Sequence, residues 1–469
     1  KVPDRVINQE NQHEILRRLQ NCFRTGRTRT LPWRKQQLKQ LQIMIKTHAG
    51  EIAAALAADL GKSPFEVFLS ETGFVLEEIA MALRQLQRWS SPKRVSVPFR
   101  LPGARAEVRP CPYGTVLILS PWNYPVQLAL LPLVSALAAG NCAVLKPSEL
   151  AAASSALLAQ LIPEYLDQDA VAVVTGPPEL AATWTAMPVN YIFFTGSTAV
   201  GRQVIAAAAS QLTPVTLELG GKSPCLVEKN ADIKVAARRI VWGKFLNAGQ
   251  TCVAPDYVLV DQHYADALTT ECIKSLLEFF GSDPQNSPDY SRIINDAHFQ
   301  RLLTLLGDGH ILHGGRNDRM LRYLEPTLLS EVKPDSRVMQ EEIFGPILPI
   351  LPYATLASAL DFINRRPTPL ALYLFSSSRA VQDQVLEAVP CGGICMNDIL
   401  LHLTVHDLPF GGLGASGMGA YHGKAGFDTF SHRQSILKQR CWPDPKLRYP
   451  PYSSLTRTIL GFSQDNDQE

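Results

Sequence analysis

Between Tyr113 and Gly220, short apolar runs alternate with helical stretches, and this alternation narrows the possible folds more than any other feature of the chain. The runs are Thr115–Ser120 (TVLILS), Cys142–Ser148 (CAVLKPS), Ala170–Gly176 (AVAVVTG) and Tyr191–Gly196 (YIFFTG). Strands that are apolar on both faces need helices above and below them, as in a parallel sheet. Helices are expected over Pro125–Ala139 and Ala151–Leu161, between the third and fourth runs, and after Gly196. The result is a doubly wound α/β unit, which binds ligands beyond the carboxyl ends of its strands.

At 469 residues the chain exceeds one compact core. Ahead of the sheet, Leu38, Leu41, Met44, Ile45, Ile52, Leu56 and Leu60 recur at helical spacing from Arg34 to Leu60, and Gly61 supplies a stop. A second helical segment is expected from Phe65 to Trp89. After Glu218 a further α/β region runs to about Gly417, with strands at Tyr257–Asp261, Ile347–Tyr353 and Leu370–Ser377. Two segments, Lys93–Pro110 and Asp428–Lys438, fit neither region and read as strands that leave the globule to pair with a second subunit. The expected organisation is therefore a dinucleotide-binding domain (1–92 with 111–217), a second α/β catalytic domain (218–417), a small β oligomerisation extension (93–110 with 428–440) and a tail (441–469).

Composition excludes several classes. The formal net charge is +2, with 45 basic against 43 acidic residues, which offers nothing to nucleic acid or an anionic membrane. No apolar run reaches the ~18–20 residues that span a bilayer. The opening KVPDRVINQE lacks the apolar core of a secretory signal, and the closing FSQDNDQE is polar. Nine scattered cysteines argue for a reducing compartment, so a cytoplasmic protein without membrane partners is expected. Neither the CGGIC pair (Cys391, Cys395) nor the histidines His402, His406, His422 and His432 have ligand spacing, so no metal is expected.

The chemistry concentrates in three places. In FLNAGQTCVAPDYVLV (Phe245–Val260), Cys252 sits among small residues just before a strand. In LELGGKSP (Leu217–Pro224), Glu218 ends a strand 34 residues earlier, in an apolar, glycine-flanked setting that is costly for a carboxylate without a use. In SPWNYP (Ser120–Pro125), Asn123 offers an amide donor after a buried strand. Nucleophile, base and oxyanion donor are what acyl chemistry at a carbonyl requires. Taken alone, Cys252 reads as one ordinary thiol among nine. GSTAVG (Gly196–Gly201) joins strand to helix where free N–H groups suit a pyrophosphate, yet it lacks the G-x-G-x-x-G pattern and a tight turn would explain its glycines equally well. Taken alone, KPSE with Lys146 and Glu149 reads as solvated charge, and Glu341-Glu342 as a surface acidic pair.

Together, PWNYP, GNCAVLKPSE, FTGSTAVG, LELGGKSP, GQTCVAPDYV, EEIFGP and PFGGLGASG, in this order, resemble the aldehyde dehydrogenase superfamily. APDYV after the cysteine, YHGK, FDTFSHR and LRYPPY resemble its class 3 branch. The resemblance implies oxidation of an aldehyde to an acid, with NAD as cofactor and NADP also accepted. Cys252 would attack the aldehyde carbon, Asn123 and the Cys252 N–H would hold the oxyanion, and Glu218 would activate the hydrolytic water. It also implies cofactor contacts from Trp122, Lys146, Glu149, Gly196, Ser197, Gly201, Leu219, Glu342 and Phe344, a homodimer, and medium-chain aliphatic or aromatic substrates. In class 3 relatives a carboxylate matching Glu342 could share the base role. Ala199, where such relatives often carry glycine, is a departure. A CoA-acylating enzyme, a simple esterase and an idle structural relative are the alternatives. Intact Glu218 speaks against the first, the cofactor motifs against the second and the complete set of Cys252, Glu218 and Asn123 against the third.

Overall fold

The computed structural model describes residues 9–98, 101, 103–442, 444 and 448–454. Residues 1–8, Leu447 of the LRYPPY motif and the polar tail from 455 onward lie outside them. The described chain forms two compact units. One combines Cys111–His432 with the chain up to Ser90; the other combines Ser91–Pro110 with the chain from Arg433.

The first unit contains the two expected α/β sheets. Five parallel strands and one antiparallel edge strand are ordered Gly417–Met418, Val215–Glu218, Tyr191–Thr195, Thr115–Leu119, Cys142–Lys146, Val171–Val173. Thr115–Leu119, Cys142–Lys146 and Tyr191–Thr195 are buried at every position, as two-sided helical cover requires. Helix Gln127–Ala139 is buried over nearly its whole surface beneath helix Gly73–Ser90. The second sheet has the order His310–His313, Thr327–Ser330, Ile347–Tyr353, Tyr257–Asp261, Pro224–Val227, Ala371–Phe375, Gly393–Met396, and is parallel except at its first strand.

Three local expectations change. The helix expected over Arg34–Leu60 is two, Leu31–Thr47 and Ala49–Leu60, kinked at His48 (φ −104°, ψ 21°). Backbone bonding continues through the kink, while the His48 ring bonds Glu51 at 2.6 Å and the Tyr165 hydroxyl at 3.0 Å. The segment Phe65–Trp89 contains a wide turn at Phe68–Thr72, which Gly73 permits because a Cβ there would lie 2.5 Å from the Phe68 carbonyl. Asp428 and Thr429 close helix Gly423–Thr429 and are not part of a strand. Phe427 and Phe430 are buried in the core around the first sheet, so the strand starts only at Ser431.

In the second unit, Lys93–Val95 pairs antiparallel with Arg105–Pro112, and Ser431–Lys438 completes a three-stranded sheet. Lys438 bonds Glu107 at 2.8 Å, and the three residues of Lys93–Val95 are exposed.

Candidate active site

The order of the first sheet reverses between Thr115–Leu119 and Tyr191–Thr195, and such a switch point opens a crevice at the strands' carboxyl ends. Ser120–Pro125, with Trp122 and Asn123, follows the first of these strands; Gly196 and Ser197 follow the second; Glu218 ends the next.

Asn123 is 2% exposed, and its turn is held from beneath by an ion pair. Lys62 Nζ donates to Glu71 Oε1 at 2.6 Å and to the Asn123 carbonyl at 3.0 Å, and lies 3.9 Å over the Tyr124 ring. Glu71 Oε2 accepts from the backbone N–H groups of Val126 (3.1 Å) and Gln127 (2.7 Å), so this charge is balanced and its lone pairs are used. Asn123 Nδ2 donates to the Gln250 carbonyl at 3.0 Å. An amide has a second N–H, which leaves one donor for a ligand oxygen.

Cys252 follows a sharp turn in which Asn247 (φ 52°), Ala248 (φ 50°) and Gly249 (φ 74°) are all left-handed. A Cβ at Gly249 would lie 2.3 Å from the Gly345 carbonyl, so only glycine fits there. Gln250 locks the turn through bonds to the Asn247 and Arg292 carbonyls and to the Ile294 N–H. Burial pushes the Cys252 thiol up to about 12, and the nearby Glu342 and Glu218 carboxylates add to the shift. A neighbouring carboxylate that takes the thiol proton relieves that repulsion.

Glu218 is 2% exposed, has no hydrogen bond to either oxygen, and burial raises its pKa well above the ordinary carboxylate range. It pairs in register with Gly417 of the glycine-rich segment, and the Leu219 N–H bonds Ser416. PFGGLGASG therefore completes the first sheet at Gly417, while Phe410 lies in a cavity wall.

Glu342 is not a surface group. One of its oxygens, buried, has no partner. A Cβ on Gly220 would lie 2.1 Å from Oε2, so glycine leaves the space that this carboxylate fills. Burial raises Glu342 to about 8, the charge of Asp256 adds to the shift, and the Gly221 N–H, Lys222 and Arg301 oppose it. Arg301 fixes the loop through the Glu342 (3.2 Å) and Ile343 (2.6 Å) carbonyls, and Lys222 through Val338, Glu341 and Asp256. Trp122 packs edge-on to Phe344 with ring centres 5.3 Å apart, and 4.8 Å from His298.

Two cavities meet at Cys252. One, of about 510 Å³, is lined by Trp122, Asn123, Gly196, Ser197, Glu218, Leu219, Glu342 and Phe344, along with His298, Arg301 and Cys252. The other, of about 190 Å³, is mainly apolar and includes Phe74, Tyr124, Trp242, Phe410, Tyr421 and His422, again with Cys252. Lys146, Glu149 and Gly201 do not line either wall. Lys146 pairs with Glu149 at 2.5 Å beyond its strand, and Gly201 is buried in the first turn of helix Thr198–Ala209, where a Cβ would lie 2.7 Å from Leu219. Sequence reading missed His298, Arg301, Tyr124 and His422. The first two sit on or near a helix with no motif to mark them.

The larger cavity suits a dinucleotide. The N-terminus of helix Thr198–Ala209, capped by Ser197, presents backbone donors for a pyrophosphate, and the unpartnered Glu342 oxygen can accept from a ribose hydroxyl. Among the described residues no group of three or more His, Cys, Asp or Glu side chains could hold a metal ion, and no helix is long and apolar enough to cross a membrane.

Residues 5–436 match the model of the aldehyde dehydrogenase family. Family 3 member B1 of Rattus norvegicus is 47% identical over 447 residues, which cover 95% of this chain and 96% of that protein. The chain belongs to the aldehyde dehydrogenase family. Within it, the match to family 3 is broad. The rat "aldehyde dehydrogenase, dimeric NADP-preferring" is 47% identical over 93% of this chain and 97% of its own length. The substrate-bound AldH structure from Staphylococcus aureus superposes with a TM-score of 0.94 at 45% identity, covering 96% of this chain and 99% of that one. As a member of this family the chain is an NAD(P)-using oxidoreductase that converts aldehydes to carboxylic acids.

Proposed function

We propose that Cys252 is the nucleophile, Asn123 the oxyanion donor and Glu218 the general base of a hydrolytic aldehyde dehydrogenase. The observation that carries this reading is the presence of Cys252 in the walls of both cavities, with Asn123 and Glu218 lining the larger one. The Cys252 sulfur, its proton passed through a neighbouring carboxylate to solvent, bonds as the thiolate to the aldehyde carbon while the C=O π pair moves onto oxygen. The free N–H of Asn123 and the Cys252 backbone N–H stabilise the oxyanion, one such donor lowering the barrier by roughly 3–4 kcal/mol. When bound, the nicotinamide ring supplies the hydride acceptor that makes this an oxidation. Glu218 takes a proton from water, which displaces the acyl group from sulfur, a contribution of about 10²–10⁴-fold. When the coenzyme is bound, Glu342, with Phe344 and Trp122, would hold the nicotinamide ribose, Gly196, Ser197 and Leu219 would border the pyrophosphate and nicotinamide, and Lys146 and Glu149 would reach the adenosine ribose, while Gly201 lets the helix pack closely.

The apolar smaller cavity favours medium-chain aliphatic or aromatic aldehydes. Glu149 accepts a hydrogen bond from a free ribose 2′-hydroxyl and repels a 2′-phosphate, so NAD is preferred and NADP usable. The rat relative is named NADP-preferring, and a tenfold advantage for NADP in steady-state kinetics would reverse this ordering. The exposed strand Lys93–Val95 has an open edge for pairing between chains, and the enzyme is a cytoplasmic homodimer built through the sheet of Lys93–Val95, Arg105–Pro112 and Ser431–Lys438. A monomer by light scattering at micromolar concentration refutes the dimer. The activity itself is tested with aldehydes of two to twelve carbons plus benzaldehyde and cinnamaldehyde, with and without CoA. Full-rate, CoA-independent acid formation is expected, and an absolute need for CoA would overturn the hydrolytic reading.

A further inference from the structure

His422 stands in the wall of the smaller cavity, 3% exposed, with neither ring nitrogen hydrogen bonded. Four hydroxyls in the same wall are engaged within the protein, while the Tyr421 hydroxyl and the Gln127 side-chain amide are not. Ser70 donates to the Glu66 carbonyl (2.7 Å), Thr404 to the Leu401 carbonyl (2.8 Å), and Tyr124 and Thr251 bond each other (2.6 Å). The His422 backbone has φ +74°, a conformation that a residue with a side chain keeps only when its surroundings enforce it. Here they do. The two oxygens of Glu78 accept from the Gly423 N–H (2.6 Å) and from His406 Nδ1 (2.7 Å), and a Cβ on Gly423 would lie 2.3 Å from the His406 carbonyl. The ring is stacked on Phe410 (5.3 Å, 18°) and flanked by Phe74 (5.4 Å) and Tyr421 (4.4 Å). Burial lowers its pKa to about 3, so the imidazole is neutral and offers one N–H and one lone pair. A strained, rigidly held, unpartnered polar ring in an apolar wall matches a ligand atom that the protein does not supply.

We propose that His422 selects aldehydes whose tails carry a hydrogen-bonding oxygen (hydroxyl, ether or carbonyl) at the level of its ring. The proposal rests on the smaller cavity receiving the aldehyde tail. A pure hydrocarbon tail leaves both nitrogens dry and unpaired, whereas a correctly placed oxygen satisfies one of them. At a position that reaches neither His422 nor the Tyr421 hydroxyl or Gln127 amide of the same wall, the oxygen loses its water and gains no partner, and His422→Phe separates the His422 position from the others.

The test walks a hydroxyl along the chain of six- to eight-carbon aldehydes, with the full chain and NAD, and includes the unsubstituted aldehydes. Wild type is expected to show one position where kcat/KM is about 5- to 10-fold above that of the neighbouring positions. His422→Phe keeps the ring stack and deletes the nitrogens. It should reduce the ratio of hydroxylated to plain aldehyde at that position by the same factor, and His422→Gln should restore part of it. Reading ratios within one protein cancels any general loss of activity. A wild-type profile without a maximum overturns the proposal even if the variant does not fold, as does a maximum that survives His422→Phe. If plain hexanal is not oxidised by wild type, the assignment of the cavity fails first, and the selection proposal fails with it.

Discussion

The side-chain amide of Asn123 donates to the carbonyl of Gln250 at 3.0 Å, two residues ahead of Cys252. Asn247 returns a bond from its own amide to the Asn123 carbonyl at 2.8 Å. Residues far apart in the chain thus form one rigid unit, and the donor expected to hold an oxyanion is fixed against the loop that carries the sulfur. Positional error of an ångström at such a site is costly in rate.

Asn123→Ala should therefore lower kcat/KM about 10²–10³-fold. Steady-state kinetics with hexanal, alongside NAD affinity by fluorescence titration, checks this. A loss under about fivefold would remove Asn123 from the oxyanion site.

Cys252→Ala should abolish NADH production. Glu218→Gln should give one burst of NADH per active site and then stall, because only release of the acid needs the base. Rapid-mixing absorbance measures it. Several full turnovers from this variant would move the base role to Glu342.

Glu218 also sets a pH dependence of stability. Burial raises its pKa in the folded state, so folding favours the protonated form. The stability it contributes is complete below the unfolded carboxylate pKa and declines as pH rises towards the folded value. Glu218→Gln removes that decline. Its melting temperature should exceed wild type by about 1–3 °C at pH 8.5, with the gap closing towards pH 4. A gap that widens on acidification would contradict the sign. The same raised pKa predicts that wild-type turnover keeps climbing with pH well above the ordinary carboxylate range where acid release limits the rate, since only the ionised carboxylate can accept a proton.

Gly220→Ala places a methyl where the Glu342 carboxylate now sits. The carboxylate is the flexible end of a side chain and can swing away, so the melting temperature should change little. KM for NAD should rise on the order of 10-fold as the ribose contact is lost. Unchanged coenzyme kinetics would show that Glu342 does not touch the cofactor.

Much of the architecture was legible in the chain. Tyr257–Asp261 and Ile347–Tyr353 form strands with the expected bounds, because uninterrupted apolar runs between polar turns leave little choice. Val171–Val173 is shorter than its apolar run, because pairing with Ala143–Leu145 ends there. The kink at His48 was invisible, since the periodicity of Leu41 to Leu60 survives it. At the site, Cys252, Glu218 and Asn123 were singled out by type and setting, and they share one cavity. Lys62, in the connection after helix Ala49–Leu60, and Glu71, in the wide turn Phe68–Thr72, escaped notice because charged side chains ordinarily face water. Their burial follows from the tertiary contact with Asn123, Val126 and Gln127, which local patterning does not encode. His422 was passed over because the histidines were weighed as metal ligands only, and positive φ at a non-glycine residue leaves no mark in the chain.

Because Cys252 belongs to two walls at once, the coenzyme and the organic substrate, placed in the two cavities as proposed above, would meet the same sulfur from different sides. On that placement neither would have to cross the other's cavity, and an acyl group could keep its tail anchored on one side while the coenzyme is exchanged on the other.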